Sequence, residues 1–278
     1  MTNTSEIAVE KNVAYTSGER PLLWDIYRPA AGSESAPVVL VIHGGGWRGG
    51  HREMMEGACT AFARQGYVAI APEYRLLGEV QWPTPLSDVR TAVRALRAEA
   101  KPLGINPDRI FLVGFSAGAH LALLSAGMKN IPQEAGDPYT GQSEEVAGVA
   151  AFFPIARVAG PFASLLGVAD DGLDLVSPQT YASTLPPTII FCGDEDRVTP
   201  PQLSMDLYKA IRDAGGVSDL HLFSHLIHEF LSLPGMMETT VRDTVDFFDR
   251  TVMSKGSFDQ ALGELHAWWQ ERMAQRPQ

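Results

Sequence analysis

The sequence predicts an α/β fold in which a mostly parallel central sheet is covered by helices on both faces. Three observations carry this reading. Short apolar runs alternate with longer stretches of helical periodicity, the rhythm of strand–helix–strand units. One such run, Arg109-Ile110-Phe111-Leu112-Val113, leads through Gly114-Phe115-Ser116-Ala117-Gly118 into a helix-like stretch. A second, Val38-Val39-Leu40-Val41-Ile42, leads into His43-Gly44-Gly45-Gly46-Trp47. With 278 residues, 45 % apolar and 20 % charged, one domain spanning residues 1–278 is the expected organisation.

Taken in order, residues 22–27 read as an early strand ending at Arg28-Pro29, and residues 38–42 and 67–71 as buried strands. Between the latter two, residues 52–65 form a helix stopped by Gly66, a residue suited to a helix C-terminus. Residues 85–100 form a second helix, with Val89, Val93 and Leu96 on one face and Arg90, Arg94 and Arg97 on the other. Strands follow at 110–113, 146–153, 188–192 and 220–223, with helices at 201–214 and 236–252. Residues 154–187 lack periodicity and are rich in Gly, Pro, Ser and Asp. Such an excursion reads as functional, a small cap or lid with Phe153, Phe162, Leu165 and Leu166 to line it. Residues 257–275 form an extra amphipathic helix whose stripe is Phe258, Leu262, Leu265, Trp269 and Met273. Docking on its own domain is the expected use of that stripe, with a homodimer contact as the alternative.

Composition excludes several classes. A net charge of −11 argues against nucleic-acid binding, which needs clustered Lys and Arg. No apolar run approaches the roughly 20 residues that span a bilayer. Met1 to Ile7 has neither the basic nor the apolar region of a secretory signal. Cys59 and Cys192, without metal-ligand spacing, read as buried free thiols, which suits a cytoplasmic location. His51, His120 and His266 read as surface or helix residues, and no metal or cofactor is implied.

The chemistry starts at Ser116. Gly-x-Ser-x-Gly between a strand and a helix holds a serine on a sharp, strained turn, with its hydroxyl presented above the sheet. A hydroxyl is a weak nucleophile until a base takes its proton, and the base needs an orienting carboxylate. Both are sought at the C-terminal ends of later strands, acid before base. After residues 188–192 come Gly193-Asp194-Glu195-Asp196-Arg197-Val198-Thr199-Pro200. Asp194 adjoins the turn glycine and suits the turn backbone, so Asp196, further along, is the favoured acid over Asp194 and Glu195. His221 falls within the last strand, whereas His225 and His228 both lie in the loop beyond it, and spacing does not separate them. The glycine loop can turn its amides onto an oxyanion: Gly44 and Gly45 are the candidate donors, with Ala117 at the start of the helix. No Lys-Ser/Thr follows the glycines, which argues against a phosphate loop. His43 reads as a structural hydrogen-bonder fixing that loop.

With these segments in order, the chain resembles an α/β-hydrolase of the carboxylesterase type. It is similar to the hormone-sensitive-lipase-like esterases and closer to the small esterases of the feruloyl/acetyl-esterase-like branch. The resemblance covers residues 22–252. It rests on His43 to Trp47, Tyr74-Arg75-Leu76, Trp82-Pro83 with Asp88-Val89, Asn106-Pro107-Asp108-Arg109-Ile110 running into the serine motif, Gly193 to Pro200, and His228-Glu229-Phe230. The usual loop end, a base followed by a small or polar residue and then Phe, favours His228. The segment before the glycine loop is too short for the long cap of the hormone-sensitive-lipase-like enzymes, which implies a small cap or none. Leu77-Gly78-Glu79 replaces the usual Ala-Pro-Glu, and the helix at 257–275 extends past the typical end.

The resemblance implies a serine hydrolase of small or short-chain carboxylic esters, acting through an acyl-enzyme on Ser116, His228 and Asp196. Trp47, Phe115, Trp82 and Phe162 are the expected substrate-binding side chains. An arylformamidase or small amide hydrolase uses the same machinery, and kynurenine formamidases resemble this set too. A non-catalytic ligand-binding protein on the same scaffold is the alternative of another class. The expected partner is a small-molecule ester, with neither nucleic acid nor membrane.

Overall fold

A computed structural model of the chain describes residues 7–30, 34–129 and 139–274; the segment Met1–Glu6, read above for a signal, lies outside the described residues. Its strands are β1 (Ala8–Ala14), β2 (Leu23–Arg28), β3 (Ala36–Ile42) and β4 (Val68–Pro72), then β5 (Ile105–Phe115), β6 (Gly148–Phe152), β7 (Thr188–Gly193) and β8 (Ser218–Phe223). They form one sheet of order β1-β2-β4-β3-β5-β6-β7-β8. Pairings from β4 through β8 are parallel, and only β1–β2 and β2–β4 are antiparallel. The expected α/β-hydrolase fold is the one observed. β1 has no counterpart in the sequence reading, because its residues Ala-Val-Glu-Lys-Asn-Val-Ala are exposed along an edge and show no apolar run.

Alternation along the central strands builds two cores. Val38, Leu40 and Ile42 of β3 face one layer, while Val39 and Val41 face the other. The first layer holds α2 (Thr84–Ala98), α3 (Ala100–Leu103), α4 (Ala117–Gly127) and α6 (Pro201–Asp213); the second holds α1 (Glu56–Arg64) and α7 (Met236–Phe248). The helix expected over 52–65 opens as a 3-10 turn, Arg52–Met55, and Gly66 leaves it at φ 91°. The arginine face of α2 is not solvated: Arg90 and Arg94 are buried and both pair with Glu144, from the loop that follows α4. α4 is apolar on all sides and wholly buried between the sheet and α2.

Residues 154–187 run beside α4 and include α5 (Pro161–Leu166) and two 3-10 turns, Asp170–Gly172 and Pro178–Tyr181. Ile155, Ala156, Val158 and Val176 from this stretch are buried in the first core. Ser177 pins it internally, accepting from Val158 N at 2.9 Å and donating to Leu173 O at 2.7 Å.

After α7 a π turn, Asp249–Met253, redirects the chain into α8 (Lys255–Ala274). The expectation that this helix docks on its own domain is overturned, since none of its residues is buried. Trp268 and Trp269 are both about half exposed. Being adjacent, they point about 100° apart, so the apolar side chains form no single narrow stripe. Among the described residues no helix is long and apolar enough to cross a membrane.

Candidate active site

Ser116 joins β5 to α4 with φ 53° and ψ −116°, a conformation that a residue with a side chain holds only under constraint. The flanking glycines supply the room. A Cβ on Gly114 would lie 2.4 Å from the Gly118 carbonyl oxygen, and one on Gly118 would lie 2.2 Å from that of Ile42. Strand, helix and β3 therefore meet backbone to backbone, and the hydroxyl is lifted at the C-terminal edge of the sheet.

The acid and base stand on neighbouring loops. Asp196 follows β7 and is 3 % exposed; its Oδ2 accepts from His228 Nδ1 at 2.7 Å, in the loop after β8. With Nδ1–H committed to the carboxylate, Nε2 of His228 is left as the free lone pair. Val198 N and Thr199 N both donate to Asp196 Oδ1 at 2.8 Å. Thr199 Oγ1 lies 2.9 Å from Asp196 Oδ2 and 3.1 Å from Phe153 O. Burial alone would push the Asp196 carboxyl up, but the bonds from His228 and Thr199 outweigh it and hold the group below the usual carboxylate value. Thr199 is absent from the sequence reading. Its only signal there is a hydroxyl residue three positions after the acid.

These loops are also clamped away from the pair. Asp194 Oδ1 accepts from His225 N at 2.6 Å, and Glu195 N donates to Leu226 O at 3.1 Å. A Cβ on Gly193 would sit 2.0 Å from Leu226 O, so only glycine permits this approach. Asp194 thus satisfies the backbone of the facing loop, rather than its own turn. His225, the other base candidate, is exposed at φ 62° and its ring lies 3.2 Å from Glu195, whereas Asp196 pairs with His228.

The glycine loop leaves β3 directly beside the serine. A Cβ on Gly44 would lie 2.8 Å from Phe115 O and 3.2 Å from Ser116 Cβ. Among the described residues, the amides of Gly44, Gly45 and Ala117 donate to no protein acceptor. His43 is buried, stacks on Tyr74 at 4.3 Å and donates from Nδ1 to Gly44 O at 2.7 Å. Burial lowers its pKa to about 4, so it is neutral and structural at neutral pH, as its position implies.

Ser116, His228, Gly44, Gly45 and Gly46 line one cavity of about 500 Å³, walled by Met54, Met55, Phe115, Phe153, Val198, Leu231 and Met237. No hydrogen bond joins Ser116 to His228 in this resting geometry, and such bonds commonly tighten only when substrate is bound. Of the four expected substrate-binding side chains, Phe115 alone lines this cavity. Trp47 and Trp82 meet His120 instead, and Phe162 meets Trp47, because Trp47 is packed inside the molecule rather than along the loop's open side. His120, expected at a surface or on a helix, is a helix residue but fully buried. The methionine walls were not anticipated, since no periodicity marks Met54, Met55 or Met237 as neighbours. Among the described residues, no group of His, Cys, Asp and Glu could hold a metal ion.

Comparison with known proteins gives consistent results. A family profile described as BD-FAE matches residues 24–211. Esterase LipQ of Mycobacterium tuberculosis is 28 % identical over 233 residues, covering 76 % of this chain and 54 % of the relative. Carboxylesterase NlhH of the same organism is 29 % identical over 134 residues, covering 48 % of this chain and 41 % of the relative. The chain thus spans about half the length of the curated relatives it matches. Among solved structures, butyrate-bound esterase 2 of the planctomycete Thermogutta terrifontis superposes with a TM-score of 0.76 at 25 % identity, covering 87 % of this chain and 93 % of that one.

Proposed function

The chain belongs to the BD-FAE family, and from that premise we propose that it is a serine hydrolase of small carboxylic esters. Ser116 attacks the ester carbonyl, and His228 Nε2 takes the hydroxyl proton and returns it to the leaving alcohol. Asp196 orients His228 and stabilises the imidazolium. The amides of Gly44, Gly45 and Ala117 hold the oxyanion, aided by the N-terminus of α4. An acyl-enzyme forms, and water activated by the same His228 releases the acid.

The observation that carries this reading is the 2.7 Å Asp196–His228 pair opening onto the same cavity as a serine on a strained turn. The relatives named esterase and carboxylesterase support ester rather than other acyl chemistry. A mainly apolar cavity of about 500 Å³ suits a short acyl chain with a modest alcohol, and a butyrate-bound neighbour is in keeping with this. Two buried, unpaired thiols support a reducing, cytoplasmic setting. The unpartnered α8 supports a homodimer. A charge of −11 gives no support to a nucleic-acid partner.

The test is hydrolysis of p-nitrophenyl acetate, butyrate and octanoate, with N-formylkynurenine alongside, by the wild-type chain and by Ser116→Ala. Turnover of acetate and butyrate that falls by about 10⁶ in the variant is expected. Preference for octanoate would refute the short-acyl assignment. Turnover of the formamide alone would transfer the site to formamidase chemistry, and activity surviving Ser116→Ala would remove Ser116 as nucleophile.

A further inference from the structure

His120 is wholly buried on α4, one turn beyond Ser116, and the mechanism above does not use it. Its ring meets the edge of Trp47 at 5.0 Å with an interplanar angle of 77°, and Trp82 at 5.7 Å. Its Nε2 lies 2.8 Å from the carbonyl oxygen of Val176. A carbonyl can only accept, so Nε2 carries the proton and Nδ1 the lone pair. Burial holds the imidazole down to about 4, which keeps it in this neutral form at neutral pH. Among the described residues, His120 Nδ1 and Trp47 Nε1 have no hydrogen-bond partner. The pair is therefore held by ring packing, not by a polar bond.

Trp47 is the residue that ends the glycine loop. Its backbone is at φ 60°, a strained conformation for a bulky side chain, so it persists only if its surroundings hold it. One anchor is the Trp47 carbonyl, which accepts from Leu77 N at 2.8 Å. The other is the side chain, entirely buried against His120 and Phe162. The loop itself closes through Gly49 N and Gly45 O at 2.9 Å, so a shift of Trp47 is passed to Gly45 within one turn.

We propose that His120 is a positioning residue that locks the glycine loop to the nucleophile helix through Trp47. The serine and the amides of Gly44 and Gly45 then move as one body, although they come from β5 and β3. The bond to Val176 ties the excursion 154–187 to the far side of the same ring, so that segment packs behind the site rather than over it, and the lock itself is the ring contact. This inference rests on the serine-hydrolase reading of the site.

Two readouts separate the inference from that reading: kcat and KM on p-nitrophenyl butyrate, and the rate at which an alkyl fluorophosphonate phosphonylates Ser116 with loss of fluoride. The second needs a poised serine and glycine loop but no ester substrate. His120→Leu should lower kcat and the labelling rate together by about ten- to a hundredfold, with KM within about twofold. His120→Phe, which keeps a ring against Trp47 and drops the Val176 bond, should stay within about threefold of wild type. Leu124→Ala, equally buried on α4, controls for stability. It should lower Tm without lowering kcat. If His120→Leu does not fold, Trp47→Leu removes the ring from the loop side of the same contact and should show the same kcat loss.

The inference fails if His120→Leu (or Trp47→Leu in its place) stays within threefold of wild type, if Leu124→Ala loses as much kcat, or if His120→Phe falls as far as His120→Leu. Labelling without ester turnover in the wild type would overturn the ester assignment and leave the His120 comparison readable. No labelling of wild-type Ser116 would overturn both.

Discussion

Thr199 holds the acid with both its amide and its hydroxyl, and the hydroxyl also lies 3.2 Å from Nδ1 of the base on the facing loop. Replacing it with valine removes the hydroxyl bond to Asp196 Oδ2 and keeps the amide bond to Oδ1. The carboxylate then holds His228 less firmly, so kcat/KM should fall about tenfold at neutral pH. An unchanged kcat/KM would deny Thr199 that role. Asp196→Asn, which disturbs the tautomer of His228, should cost about 10⁴ in kcat. The buried His43 and His120 also set how stability depends on pH. Both have folded pKa values of about 4, below the usual value for an unfolded chain. Between pH 6.5 and 4 the unfolded state therefore binds protons that the folded state refuses, and stability falls as pH falls. From pH 7 to pH 5 each imidazole should remove about 2 kcal/mol, an order-of-magnitude figure. Urea unfolding at the two pH values measures it, and a wild-type curve insensitive to pH would contradict the buried neutral state of both.

At the scale of elements, the site depends on places where backbones touch. Gly118→Ala drives a methyl into the carbonyl of Ile42 and should cost more than about 3 kcal/mol or abolish folding. Gly18→Ala, where no atom lies within 4 Å, meets only its positive φ of 111° and should cost far less. Thermal melts of the two, compared directly, decide whether close approach or torsion dominates. Such places were legible in the sequence, because a strand, two glycines and a helix leave one geometry for Ser116, and Asp196 and His228 fall after strands of clear apolar character. Less legible was anything decided by a distant partner. Arg90 and Arg94 are buried because Glu144, some fifty residues on, reaches them. His120 is buried because the excursion folds over α4. β1 was unreadable because an exposed edge strand has no core face to mark it.

At the scale of the whole molecule, α8 adds no residue to the buried core. Phe258, Leu262, Leu265, Trp268, Trp269 and Met273 are exposed on it, and in the dimer proposed above two copies would bury the same patch on each. Sedimentation should give a dimer that Leu262→Glu with Trp269→Glu converts to a monomer, with kcat/KM on p-nitrophenyl butyrate unchanged within about twofold. A wild-type monomer at micromolar concentration would exclude pairing through α8, and lost activity in the double variant would mean that α8 reaches the cavity.

The loops bearing Asp196 and His228 are clamped by Asp194, Glu195 and Gly193, none of which takes part in the proposed chemistry. Silencing the reaction therefore need not reshape the chamber. A Ser116→Ala protein should keep the mould of the wild type, and it can be soaked with mixed cell extracts and read by mass spectrometry as a trap for the ester that the proposed chemistry would open.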